Sequence, residues 1–317
     1  MRIIKNKRGF EFGFGWIFAI IAGAAIIFLA VYASNELIKS ERQISDTEAG
    51  KQLGIILNPI ETGIEEGKSS IIKFPGETRV YNECDSSGIF GEQRISIASK
   101  SGVGKDWEKP GVPSSFNNKY IFSSGVIEGR ELAVFSKPFF MPYKSADALI
   151  LWPLEEYCFV NPPREIKDEL ENMNIKGINI TDDIKECKKQ SKRICFTNSG
   201  CDIDVNLQSK SVKKNKQTLF YEDDSENALL YGAIFSDPGV YECQIKRLMK
   251  RAGELADLYK AKSEMLEGEG CNSNLNAELE IYSNKTKQIK DSRDLYQIQI
   301  LSEEIRRENA QLSCKLF

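Results

Sequence analysis

Residues 12–35 read FGFGWIFAIIAGAAIIFLAVYASN, 24 consecutive positions without a charge between Glu11 and Glu36. At about 1.5 Å per residue a helix over this run spans roughly 36 Å, enough to cross a hydrocarbon core of about 30 Å with some tilt. Phe14, Ile17, Phe18, Ile20, Ile21, Ile26, Ile27, Phe28, Leu29 and Val31 each favour insertion, together by on the order of 3–6 kcal/mol. Trp16 and Tyr32 lie near the two ends, where amphipathic rings prefer the headgroup zone. The run predicts a transmembrane helix over 12–35.

The flanks set its orientation. Residues 1–11 carry Arg2, Lys5, Lys7 and Arg8 against Glu11, a net of +3, whereas the whole chain carries −3. The positive-inside rule therefore places the N-terminus in the cytoplasm and residues 36–317 outside. A secretory signal cut after Val31-Tyr32-Ala33 is the rival reading, but its apolar run exceeds the usual ~7–15 residues. Gly15, Ala19 and Gly23 recur every four residues, a small-residue stripe that lets a second helix approach closely.

Lys7-Arg8-Gly9 ahead of an aromatic, apolar helix resembles the class III signal of archaeal type IV pilin-like proteins, as do the pairs Glu11-Phe12 and Gly15-Trp16. The resemblance covers about 30 residues and implies cleavage between Gly9 and Phe10, with the exposed helix packing into a filament or pseudopilus core. The chain departs from that pattern at one point. Cleavage there makes Glu11 the second mature residue, whereas the family's glutamate stands at the fifth, here Phe14.

Outside the apolar run the composition is that of a folded protein: of 317 residues, 41% are hydrophobic and 28% charged. With 43 basic and 46 acidic side chains there is no global basic field to attract nucleic acid. Histidine is absent, which removes Ser-His-Asp and Cys-His nucleophiles, HExxH zinc sites and histidine pH switches.

The pattern predicts an α+β fold in five segments: a cytoplasmic N-terminus (1–11), the transmembrane helix (12–35), a helical stalk (36–67), an extracytoplasmic α+β domain (68–236) and a C-terminal helical hairpin (237–317). In the stalk, Leu37, Ile44, Leu53, Ile56 and Leu57 are spaced among charges, and three basic against seven acidic residues over 36–66 mark it as solvated. Asn58-Pro59 is expected to interrupt it. Strands are expected at 71–74, 79–81 and 94–97, separated by Pro75-Gly76 and Gly88/Gly91 turns. Residues 99–118 read as a surface loop. Core strands are expected over 132–141, 146–152 and 157–160. Ile166, Leu170 and Met173 then fall on one helical face, and Ile178 and Ile180 return to strand. That sequence is one strand–helix–strand unit of a mixed sheet.

Hairpins are expected over 193–205, around Asn198, and over 210–222, around Asn215, with a last strand over 229–235. Asp237-Pro238 supplies a cap and a first helical position. Two apolar seams follow: Ile245, Leu248, Ala252, Leu255, Tyr259 and Leu266, then Leu295, Ile298, Leu301, Ile305 and Leu312. They read as a helical hairpin or short coiled coil, or as helices packed on the β domain.

All eight cysteines, Cys84, Cys158, Cys187, Cys195, Cys201, Cys243, Cys271 and Cys314, follow the apolar run. An even set on the expected exterior reads as disulfides. No CxxC pair occurs, and the spacings fit no common zinc module, so no metal or cofactor is assigned. Cys195 is expected to face Cys201 across the first hairpin. Cys271 and Cys314 are expected to tie the C-terminus to Cys243 or Cys158.

Chemical motifs fail in turn. Gly102-Val103-Gly104-Lys105 lacks the glycine and hydroxyl of a phosphate loop, having Ser99 and Asp106 in those places. Ser211-x-x-Lys214 matches a Ser-Lys dyad only as a string. Asp182-Asp183 and Asp223-Asp224 lack a calcium-loop pattern. Lys246, Arg247, Lys250 and Arg251 alternate with acids and read as a solvent-facing helix flank. The function expected is a membrane-anchored, non-catalytic structural or interaction component, whose partners are the bilayer and another protein or a second copy. The alternatives are a pilin-like or secretion-apparatus subunit and an anchored hydrolase using paired carboxylates.

Overall fold

The computed structural model describes residues 14–62, 69–100, 106–196, 200–222, 226–271 and 273–317. It is α+β: one long N-terminal helix, two mixed sheets and a C-terminal set of helices. Helix α1 (Phe14–Thr62) runs unbroken for 49 residues, about 73 Å. Asn58-Pro59 therefore does not interrupt it. A proline one turn from a helix end costs few backbone bonds.

The first sheet contains β1 (Ser69–Asp85), β2 (Glu92–Ser99), β3 (Ser114–Phe116), β4 (Tyr120–Phe122), β5 (Val126–Phe140) and β6 (Lys144–Pro153), in the order β3-β2-β1-β5-β6-β4. Its neighbours are antiparallel except β4, which runs parallel to β6. Pro75-Gly76 is not a turn between strands but lies inside β1, where the register against β5 shifts between Lys73 and Thr78. A bulge is where a strand tolerates proline. The expected surface loop over 99–118 contributes β3 to the sheet edge.

The central strands are apolar at nearly every position because both faces are covered. Leu132, Val134, Leu149 and Leu151 join one cluster with Leu53 and Leu57 of α1. The alternate residues Ala133, Phe135, Ile150 and Trp152 join the main core on the opposite face.

The second sheet, ordered β12-β11-β10-β9-β7-β8, is mixed. Strand β7 (Tyr157–Val160), α2 (Arg164–Asn172) and β8 (Ile178–Thr181) form the expected strand–helix–strand unit, with β7 and β8 parallel. The expected 193–205 hairpin does not form: β9 (Lys192–Cys195) and β10 (Ile203–Asn206) pair in parallel. The Asp202 carboxylate there accepts from the Arg193 backbone N–H at 2.9 Å, in place of a ladder partner. Its expected centre, Asn198, lies outside the described residues. Strands β11 (Ser211–Lys214) and β12 (Gln217–Phe220) do make the second hairpin, around Asn215 and Lys216, both left-handed. That conformation is what a two-residue turn demands.

Residues 229–235 are helical, not a strand: α3 (Ala228–Phe235) is buried at all eight positions. An unbroken apolar run carries no period to separate a buried helix from a buried strand. Three helices follow instead of a two-helix hairpin: α4 (Pro238–Gly268), α5 (Asn276–Lys287) and α6 (Leu295–Gln311). Their apolar positions Ile245, Leu248, Leu279, Leu295 and Ile298 belong to the main core. These helices pack on the β domain.

Candidate functional site

Helix α1 divides into two halves by what covers it. In the first, twelve large apolar side chains from Phe14 to Tyr32 are all exposed. At about 1.5–3 kcal/mol each, leaving them in water costs on the order of 20 kcal/mol, more than the net stability of an ordinary domain. This half is long and apolar enough to cross a membrane and fits membrane anchoring. Gly15, Ala19 and Gly23 lie along it, and a Cβ built at either glycine would meet nothing. The processing pair Gly9-Phe10 lies outside the described residues.

The second half is docked, which corrects the reading of residues 36–67 as a solvated stalk. Arg42 pairs with Glu108 at 2.7 Å, and Asp46 accepts from the Ser99 backbone N–H at 3.0 Å and from its hydroxyl. Thr47 Oγ1 accepts from the Val112 N–H at 2.9 Å. Leu53 and Leu57 are buried in one apolar cluster with residues of β1, β2, β5 and β6. Gly54 lies under the Phe116 ring, where an added Cβ would stand 2.0 Å from the ring. The missed signal was the Leu53/Leu57 pair, one helical turn apart on a single face.

The eight cysteines form four bridges, and none is free. Cys195–Cys201 is the expected pair, with Cα atoms 5.9 Å apart, although it closes a loop between parallel strands instead of a hairpin. Cys158 of β7 pairs with Cys187. Cys271 and Cys314 pair with each other, not with Cys243 or Cys158. They join the end of α4 to the chain beyond α6. Cys243 of α4 is bound to Cys84 of β1, 159 residues earlier.

That last bridge stands beside the basic run of α4, where the expected solvent-facing flank is overturned. Arg247 is fully buried. It donates to the carbonyls of Lys119 at 2.7 Å, Asn117 at 3.1 Å and Phe90 at 3.2 Å, and to Gln244 Oε1 at 2.9 Å. Burial lowers its pKa, and five donors in a planar fork match several carbonyls at once. Lys250 Nζ donates to Ser86 O at 2.6 Å and Gly88 O at 2.8 Å. Arg247 and Lys250 are thus set into the β1–β2 turn and the connection between β3 and β4. Gly91 in that turn has φ +61°, and a Cβ there would meet Asp85 O at 2.4 Å, so only glycine fits. Asp237, expected to cap α4, instead accepts from the Gly125 N–H at 2.8 Å.

The remaining motifs do not assemble. Ser211 Oγ lies 2.8 Å from Ser209 Oγ, while Lys214 Nζ donates to Ile234 O at 2.9 Å, so each has a different partner. Asp183 accepts from the Lys185 N–H at 2.9 Å in a 3₁₀ turn. Gly102 to Lys105 and Asp223-Asp224 lie outside the described residues. Among the described residues, no group of three or more Cys, Asp and Glu side chains is placed to hold a metal ion. No protein-family model, curated protein or solved structure matches the chain.

Proposed function

We propose that this chain is a single-pass membrane protein that holds a disulfide-bonded structural or interaction domain outside the cytoplasm. The observation that carries the reading is the two-part coverage of α1: apolar side chains bare from Phe14 to Tyr32, then a docked segment from Arg42 to Leu57. One continuous helix thus serves as anchor and as part of the head, with no hinge between them. The bridges suit an oxidising compartment, which agrees with the orientation drawn from the N-terminal charges. Alkaline carbonate washing of native membranes tests the anchor. The chain is expected to stay in the pellet, and its release into the wash contradicts the reading.

A second reading, a pilin-like or secretion-apparatus subunit, is favoured by the same helix. A bare apolar half followed by a half packed on a β-sheet suits assembly through helices, with the Gly15/Ala19/Gly23 stripe open to a second copy. It requires processing between Gly9 and Phe10. N-terminal mass analysis of the mature protein is expected to begin at Phe10 under this reading, and retention of residues 1–9 removes it.

A further inference from the structure

Helix α1 keeps one apolar line bare beyond the length a bilayer covers. Glu36 ends the uncharged run, and at about 1.5 Å per residue Ile44 stands roughly 12 Å beyond it and Ile55 roughly 28 Å. Leu37, Ile44 and Ile55 are nevertheless 66%, 67% and 63% exposed. Single exposed apolar side chains are ordinary on a protein surface, but these three are not scattered. At about 100° per residue, their directions around the helix fall within roughly 20° of one another.

The same geometry sets that line opposite the docked face. Asp46, Leu53 and Leu57, which hold α1 to the head, centre about 170° away, so the head sits behind the line and leaves it open. Gly15, Ala19 and Gly23 of the apolar half centre on the line's own direction, and one face therefore runs about 60 Å from Gly15 to Ile55. Two charges flank it in water, Glu48 on one side and Lys51 on the other. Both are exposed, and neither forms an ion pair with another described residue.

That charge pattern is complementary to itself. Copies of one chain enter a membrane in the same direction, so a second α1 meets the first in parallel. A two-fold axis along the line then brings Leu37, Ile44 and Ile55 onto their own counterparts at the centre. It also sets Glu48 of each copy opposite Lys51 of the other, once on each side, as flanking charges do in a parallel coiled coil. We propose that α1 pairs in parallel with α1 of a second copy along Leu37, Ile44 and Ile55, with the two heads on the outer sides. This rests on the anchoring of α1 proposed above and needs no cleavage after Gly9. It differs from a filament because a two-fold seam uses up the face on both copies, and assembly stops at two.

Cysteine crosslinking of the full chain in native membranes tests this. Under mild oxidation Leu37→Cys, Ile44→Cys and Ile55→Cys are each expected to give a disulfide-linked pair, several-fold more than Gln43→Cys, which is exposed but turned about 110° from the line. Sedimentation of the full chain in detergent micelles supplies an arm without added thiols, which decides if these disturb the native bridges. Glu48→Lys and Lys51→Glu are each expected to weaken the pair about three- to tenfold, and the double swap to restore it. Equal crosslinking at Gln43→Cys and Ile44→Cys, a monomeric chain in micelles, assembly beyond two copies, or a double swap no better than either single reversal overturns the proposal. Carbonate washing of the same membranes separates this from the anchor. A chain kept in the pellet without the Ile44→Cys crosslink overturns the pairing alone, whereas a chain released into the wash overturns the anchor and the pairing with it.

Discussion

Two buried cations carry the residue-scale energetics of the head, in opposite ways. Arg247 satisfies backbone carbonyls of the segments around β3, β4 and the β1–β2 turn. Its removal leaves those carbonyls buried and unpaired, so Arg247→Ala is expected to cost about 3–5 kcal/mol in denaturant unfolding. Arg247→Lys should recover only part of this, because a single ammonium cannot replace the fork. Lys214 destabilises instead. Its folded pKa, about 7, lies below the ordinary lysine value of 10.5, so between those pH values the unfolded chain binds more protons than the folded one. Stability from this group therefore rises with pH from about 7 towards 10.5, by up to about 1.4 kcal/mol per pH unit. The slope should vanish in Lys214→Met, and an unchanged slope in pH-dependent urea melts would contradict the placement of Lys214.

At the scale of elements, the sequence was readable wherever burial is one-sided or a turn needs special residues. The 210–222 hairpin was legible from Asn215, and α2 from Ile166, Leu170 and Met173. Legibility failed where a run is apolar throughout, as at 229–235, since no period survives complete burial. It failed again at the basic run of α4, because alternating charges look alike whether they face water or carbonyls. Disulfide partners other than Cys195–Cys201 are non-local and had no local signature. Two substitutions test the joints that were missed. Gly54→Val forces a side chain into Phe116 and should loosen the docked half of α1 by about 1–3 kcal/mol, read as faster amide exchange over 46–57. The double variant Cys84→Ser/Cys243→Ser opens the β1–α4 bridge and is expected to cost about 2–5 kcal/mol in thermal or denaturant unfolding.

On the scale of the whole molecule, one helix couples a bare apolar end to a head held by a two-sided core and four bridges. Neither part explains the other. Among the described residues the bare apolar half has no partner, and the docked half shows that α1 belongs to the head, which leaves the apolar half for the proposed anchor. The pilin-like reading adds only a cleavage and a neighbour to this frame. The most direct test of the frame is protease treatment of intact cells, followed by non-reducing mass mapping of what is released. The account calls for release of peptides from beyond residue 36, still joined as Cys84–Cys243, Cys158–Cys187, Cys195–Cys201 and Cys271–Cys314. Protection of that region until the cells are lysed, with its cysteines recovered as thiols, would contradict it.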